Sequence, residues 1–261
     1  MYIDTHTHLF GEAFDEDRDE VVQRALNADV GMCLLPNIDV GTINALHQLA
    51  DKYPEKCLPM MGLHPGSVGE DWEEQLEEIH KNLLARNYIA VGEIGMDLYW
   101  DTKFLVEQRA AFRQQVEWAK ELELPIVIHA REAFQEIFAE LDQLNDGGLT
   151  GVFHCFTGTA EDAERILDYG GFKLGLGGVV TYKNSGLVTS LKDVPISAIV
   201  LETDSPYLSP VPFRGKRNES AYLVHIAEKV ADIYGLSMRE IERITTINAL
   251  ELFKLSTSIN R

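Results

Sequence analysis

Cysteine is scarce in this 261-residue chain: Cys33, Cys57 and Cys155 are its three thiols, far apart in sequence. That excludes a disulfide framework and the Cys-x-x-Cys spacing of redox or zinc sites, and it fits a reducing compartment. Long apolar runs are missing too. No stretch approaches the ~18 residues of a membrane span, and the opening MYIDTHTHLF lacks the basic start and apolar core of a secretion signal. A cytoplasmic protein without membrane contact is therefore expected. Positive charge is the third shortage, with 23 Lys and Arg against 42 Asp and Glu and a formal net charge of −19. A broad, sequence-independent grip on nucleic acid uses the opposite sign. Any phosphodiester chemistry must therefore rest on local countercharge, from a metal or a small basic patch.

What the chain does have is a regular alternation of short β-branched apolar runs with longer stretches of helical periodicity, the pattern of βα units building a parallel sheet. Eight strands are expected, at residues 2–5, 32–35, 58–61, 89–92, 126–129, 151–154, 172–175 and 199–202. This is the cadence of a (β/α)8 TIM barrel. Residues 104–122 place Phe112, Val116 and Ala119 at helix spacing, and residues 71–84 set Trp72, Leu76, Ile79 and Leu83 against a solvated face of Glu73, Glu74, Glu77 and Glu78. Ser237 with Glu240 three residues on is a capping box, opening a last helix through Phe253. No Ser/Gly-rich linker or low-complexity segment interrupts the pattern. A single α/β barrel domain over 1–261 is expected.

Histidine carries the chemistry. His6 and His8 sit two apart at the end of the first strand, a period that sends both side chains to one side of an extended chain. His129 ends the fifth strand, His154 ends the sixth, Glu93 follows the fourth and Asp204 lies past the eighth. In a parallel barrel the C-terminal strand ends meet at one mouth, however distant in sequence. Mixed imidazole and carboxylate donors suit Zn, Mn, Fe or Co. Four histidines and two carboxylates exceed one tetrahedral ion's needs, so two ions sharing Glu93 as a bridge are expected. Together the six predict a binuclear metal-dependent hydrolase with its site at the C-terminal mouth.

The motifs YIDTHTHL (2–9), GLHP (62–65), VGEIGMD (91–97), HAR (129–131), HCF (154–156), LETDSP (201–206) and RGKRN (214–218) occur in this order. Together they resemble the TatD-related deoxyribonucleases, of the amidohydrolase-like hydrolases, over essentially the whole chain. The resemblance implies that His6, His8, Glu93 and Asp204 hold a first divalent ion, and Glu93, His129 and His154 a second, with Mg, Mn and Zn as candidate identities. It also implies that His64 and Arg131 meet the substrate phosphate and that DNA, single-stranded and degraded from its 3′ end, is the substrate. Ala130 and Glu132 flank Arg131 where Ser and Asp are frequent in that family, and Ser220 replaces a usual Pro. Hydrolysis of a D-aminoacyl-tRNA ester is an alternative on the same scaffold. A noncatalytic nucleic-acid-binding barrel with a vestigial metal centre is another. No obligate protein partner is expected.

In the mechanism this predicts, Asp204 accepts the proton of the attacking water, Glu93 bridges the ions and His64 and Arg131 neutralise phosphate charge. Glu202 either hydrogen-bonds a ligand histidine or is a buried acid satisfied by backbone or a neighbouring base. Arg214, Lys216 and Arg217 form the one tight basic cluster, which grips a nucleic-acid backbone or pairs with the surplus acids. Tyr99, Trp100 and Phe156 stack on a base or cap the core. Cys155 reads as a packed thiol rather than a nucleophile, and His47, His80 and His225 as surface residues on helices.

Overall fold

All eight expected strands form in the computed structural model, which describes residues 1–256; the last five residues of the expected domain lie outside the described residues. The strands are β1 (Tyr2–Asp4), β2 (Val30–Leu35), β3 (Cys57–Pro59), β4 (Val91–Asp97), β5 (Ile126–Arg131), β6 (Gly151–Phe153), β7 (Phe172–Leu176) and β8 (Ile199–Leu201). Between and after them run α1 (Arg18–Asn27), α2 (Ile43–Lys52), α3 (Trp72–Ala85), α4 (Leu105–Glu121), α5 (Phe134–Leu144), α6 (Ala160–Asp168), the short α7 (Leu187–Ser190), α8 (Leu223–Tyr234) and α9 (Met238–Leu252). The capping box of α9 is present: the Ser237 hydroxyl accepts from the Glu240 amide while the Glu240 carboxylate accepts from the Ser237 amide.

Every strand pairs in parallel. β1, β2 and β3 make one sheet and β4 through β8 another. Backbone hydrogen bonds cross both gaps. The Ile89 amide donates to Pro59 and the Gly92 amide to Met61 between β3 and β4; the Thr5 amide donates to Leu201 and the Asp204 amide to His6 between β8 and β1. The two sheets thereby join into a ring of eight.

β4 departs most from its sequence expectation, starting two residues late and running on to Asp97. The role of Gly92 and Gly95 is close approach. A Cβ on Gly92 would sit 2.6 Å from the Val127 Cβ, and one on Gly95 would meet the His129 carbonyl oxygen at 2.0 Å. Gly95 also holds φ at +146°, a region side chains resist. These glycines let β4 and β5 lie close enough to bring Glu93 and His129 together.

Inside the ring, Ile3, Leu34, Met60, Val127, Val152 and Val200 form a buried apolar layer, closed from below by Ala249, Leu252 and Phe253 of and after α9. A second, larger layer lies between strands and helices, with Phe112, Phe138 and Phe153 fully buried. Each such side chain contributes about 1.5–3 kcal/mol on leaving water. No helix among the described residues is long and apolar enough to cross a membrane. His47, His80 and His225 are half-buried rather than surface residues: His47 Nε2 bonds the Tyr88 hydroxyl at 2.7 Å, and His80 stacks on Trp118. Helical periodicity showed them off the deepest stripe but could not show which neighbours they meet.

Candidate metal centre

The six residues expected at strand ends converge, although β4 and β5 run on past Glu93 and His129. Past β1 the chain bends at His6 and is held by the Thr7 amide donating to Leu34 and the His8 amide donating to Ser205, and His6 and His8 meet at the same point. Glu93 lies within β4 and His129 within β5, while His154 directly follows β6. Asp204, two residues beyond Glu202, takes a left-handed turn (φ +55°). All six are buried or nearly so.

Glu93 stands between two groups of donors. Its Oε2 faces His6 Nε2 at 3.1 Å and His8 Nε2 at 3.7 Å, and Asp204 Oδ1 lies 3.8 and 3.5 Å from the same two nitrogens. The two imidazole nitrogens are 3.3 Å apart. An ion with tetrahedral bonds of about 2.0–2.2 Å sets its donors about 3.3–3.6 Å apart, so this group has the spacing a cation needs. The other oxygen, Oε1, faces His129 Nδ1 at 2.8 Å and His154 Nε2 at 3.2 Å. His6 and His154 stack at 3.6 Å between ring centroids, tying the groups together.

The far side of each second-group ring is fixed by a carboxylate. His129 Nε2 meets Asp97 Oδ2 at 3.0 Å and His154 Nδ1 meets Glu202 Oε1 at 3.1 Å. A carboxylate that accepts one ring N–H leaves the other nitrogen's lone pair facing the centre. Glu202 also accepts from the Cys155 amide. Its room is made by Gly175, where a Cβ would lie 2.2 Å from the Glu202 Oε2. Asp97 was visible in the VGEIGMD motif as an acid four residues after Glu93, but strand alternation alone gave it no role.

His64 differs from the ligand-like histidines. Its Nδ1 accepts the Gly66 amide at 2.9 Å, which places the ring proton on Nε2 in the neutral tautomer. That N–H points toward Glu93 and His129, at 3.4 and 3.3 Å. Burial lowers the His64 pKa and keeps the ring neutral. His64 is thus a donor at the edge of the centre.

Charge is set by competition between burial and neighbours. Burial pushes the Glu93 carboxyl up, but the imidazoles around it, His154 foremost, outweigh it and hold the pKa well below the carboxylate range. The same contest leaves Asp204 ionised, burial being overcome by His8, His154 and His6. Burial drives the Cys155 thiol far up, which removes it as a nucleophile and agrees with a packed thiol.

Above these donors opens a cavity of about 640 Å³, lined among others by His64, Trp100, Arg131, Tyr207 and Leu208. Arg131 reaches its rim. Arg214 and Arg217 do not line it: Arg214 lies over the Tyr182 ring beside a separate hollow with Lys183, and Arg217 makes paired hydrogen bonds to Asp17. Asp17 lies 200 residues away in sequence, a pairing no local pattern could reveal. Phe156 is buried against Phe134, so it caps the core and is not free to stack on a base. Tyr99 and Trp100 remain exposed.

A family model described as TatD related DNase matches residues 3–254. The chain is 36% identical over 257 residues to the uncharacterized metal-dependent hydrolase YabD of Bacillus subtilis, covering 98% of this chain and 100% of that one. It is 34% identical to the 3′-5′ ssDNA/RNA exonuclease TatD of Rahnella sp., covering 95% and 97%. The crystal structure of YjjV, a TatD homologue from Escherichia coli, superposes with a TM-score of 0.91 at 29% identity over 98% of both chains.

Proposed function

The chain belongs to the TatD-related DNase family, and from that premise we propose that it is a metal-dependent exonuclease removing nucleotides from the 3′ end of single-stranded DNA. The observation that carries the reading is the divided carboxylate of Glu93, one oxygen for each donor group. His6, His8, Glu93 and Asp204 would hold one divalent ion, and Glu93, His129 and His154 a second; Mg, Mn and Zn all accept such donors. Bound there, the ions supply Lewis-acid stabilisation of phosphoryl oxygens and bring a water's pKa toward neutrality.

The chain's own groups do the rest. Asp204, ionised and facing the centre, takes the proton of the attacking water. As the new phosphorus–oxygen bond forms, the bond to the departing sugar oxygen breaks, that oxygen taking a proton from solvent, while negative charge builds on the phosphoryl oxygens. His64 donates to one of these from Nε2, and Arg131 offers a two-pronged fork at the rim. Asp97 and Glu202 hold His129 and His154 in the required tautomers. In this reading residues 1–261 are one catalytic domain in the cytoplasm, where the three free thiols stay reduced.

The test is a metal-by-substrate matrix. Protein stripped with chelator and reloaded with Mg, Mn or Zn is given a 5′-labelled single-stranded oligonucleotide whose 3′ end is free or blocked. Shortening from the free 3′ end, dependent on added metal, is expected. Metal-independent cleavage, indifference to the block, or hydrolysis of D-aminoacyl-tRNA with none of DNA would overturn the reading.

A further inference from the structure

Four of the large apolar side chains left exposed stand at or beside the mouth of this acidic molecule. Trp100 is 79% and Tyr99 51% exposed on the segment after β4, and Tyr207 at 56% and Leu208 at 40% follow β8. β4 and β8 stand four places apart in a ring of eight, so the two segments rise from opposite rims. Trp100, Tyr207 and Leu208 all line the cavity above the donors. An indole left this open adds little to folding, because its area stays in water.

Tyr99 has a different place. The Arg131 guanidinium lies 3.7 Å from its ring centroid and 5.6 Å from that of Trp100, while the two rings meet edge to face at 4.9 Å. A planar cation laid on an aromatic face loses much of its freedom before any substrate arrives.

We propose that Trp100 is the platform on which the terminal nucleobase stacks, with Tyr207 and Leu208 across the mouth, and that Tyr99 is a positioning residue that fixes Arg131 for the neighbouring phosphate. This rests on the nuclease reading and narrows its substrate. A base must leave its duplex neighbours to lie on an indole, so an unpaired end is required. Every base has a π-face, so the sequence at that end matters little. Stacking also answers the charge shortage: the grip on the strand end comes from aromatic contact, and a body of net charge −19 needs few phosphate contacts.

The experiment uses the metal-loaded full chain, with oligonucleotides ending in ordinary nucleotides or in two abasic 3′ units. On the ordinary end, Trp100→Ala is expected to raise KM about tenfold or more, given the ~1–3 kcal/mol of one base stack, and Trp100→Phe much less. On the abasic end the Trp100→Ala penalty should shrink toward nothing. Tyr99→Ala should raise KM on both ends alike, since the phosphates are unchanged, with Tyr99→Phe restoring it. Binding is read separately from tryptophan fluorescence, using a nuclease-resistant phosphorothioate strand. Trp118 is buried and Trp72 half-buried, so quenching should report Trp100 and vanish in Trp100→Phe. Equal Trp100→Ala penalties on both ends, or cleavage without quenching, would overturn the proposal while the nuclease reading stood. Quenching without cleavage by the wild type would instead sink the nuclease reading and leave the platform.

Discussion

The lower and upper halves of the ring are built from the same strands to opposite ends. Val127 and His129 belong to β5, Val152 and His154 to the β6 edge, and Val200 and Glu202 to the β8 edge. The first of each pair joins the apolar layer sealed by Leu252 and Phe253, and the second joins the polar centre. Two residues along a strand, about 6.6 Å, separate a dry plug from the chemistry. Stability and function are thus divided by height along the strands, so they can be perturbed separately.

The largest effect should come from the top. Glu93→Ala removes a donor common to both groups and is expected to lower kcat about 10³-fold or more, with bound metal falling and the circular dichroism spectrum unchanged. Unfolding of that variant at ordinary temperature would break the comparison. The matching change below is Leu34→Ala. Leu34 is fully buried in the lower layer, so a loss of about 2–5 kcal/mol in urea unfolding is expected, with kcat per folded molecule retained. A smaller effect follows from Asp97→Asn, which keeps the shape but weakens the acceptor behind His129; metal affinity should fall about 10–100-fold in competition with a chelating dye.

Least of all should be felt at His47, on α2 outside both halves. Burial, then Arg86, lowers its folded pKa below 6.5. The unfolded chain therefore binds the proton more tightly, so the neutral ring's contribution is present above pH 6.5 and lost as pH falls through the lower folded value. Solvent screening keeps it below about 1 kcal/mol. His47→Gln should flatten the stability slope between pH 7.5 and 5.5; an unchanged slope would show that the ring titrates freely.

The fold was legible in the alternation of short apolar runs with helical stretches, and the donors in their recurrence at or just past those runs, although Glu93 and His129 lie inside β4 and β5. What the sequence hid is tertiary. Asp97 matters through a ring on another strand; for Glu202 the choice between bonding a ligand histidine and a buried-acid role, and for Arg217 the acid it pairs with, rest on contacts 48 and 200 residues off in the chain. The close approach at Gly92 and Gly95 was hidden as well, because a lone glycine carries no sign of the neighbour it makes room for. For Phe156, next to a ligand-like histidine, base stacking and core-capping were both open, and its packing onto Phe134 decides for the core.

The join between β8 and β1 has a bearing on folding order. Thr7 meets Ser205 across it, 198 residues apart in sequence, and His6, His8 and Asp204 come together at the same place. Contacts of such long range close late, after the loop entropy between them has been overcome. In the proposed reading Glu93, His129 and His154 meet within β4 to β6 while His6, His8 and Asp204 meet only across the β8–β1 join, so hydrolysis requires a closed ring and activity would report a finished fold.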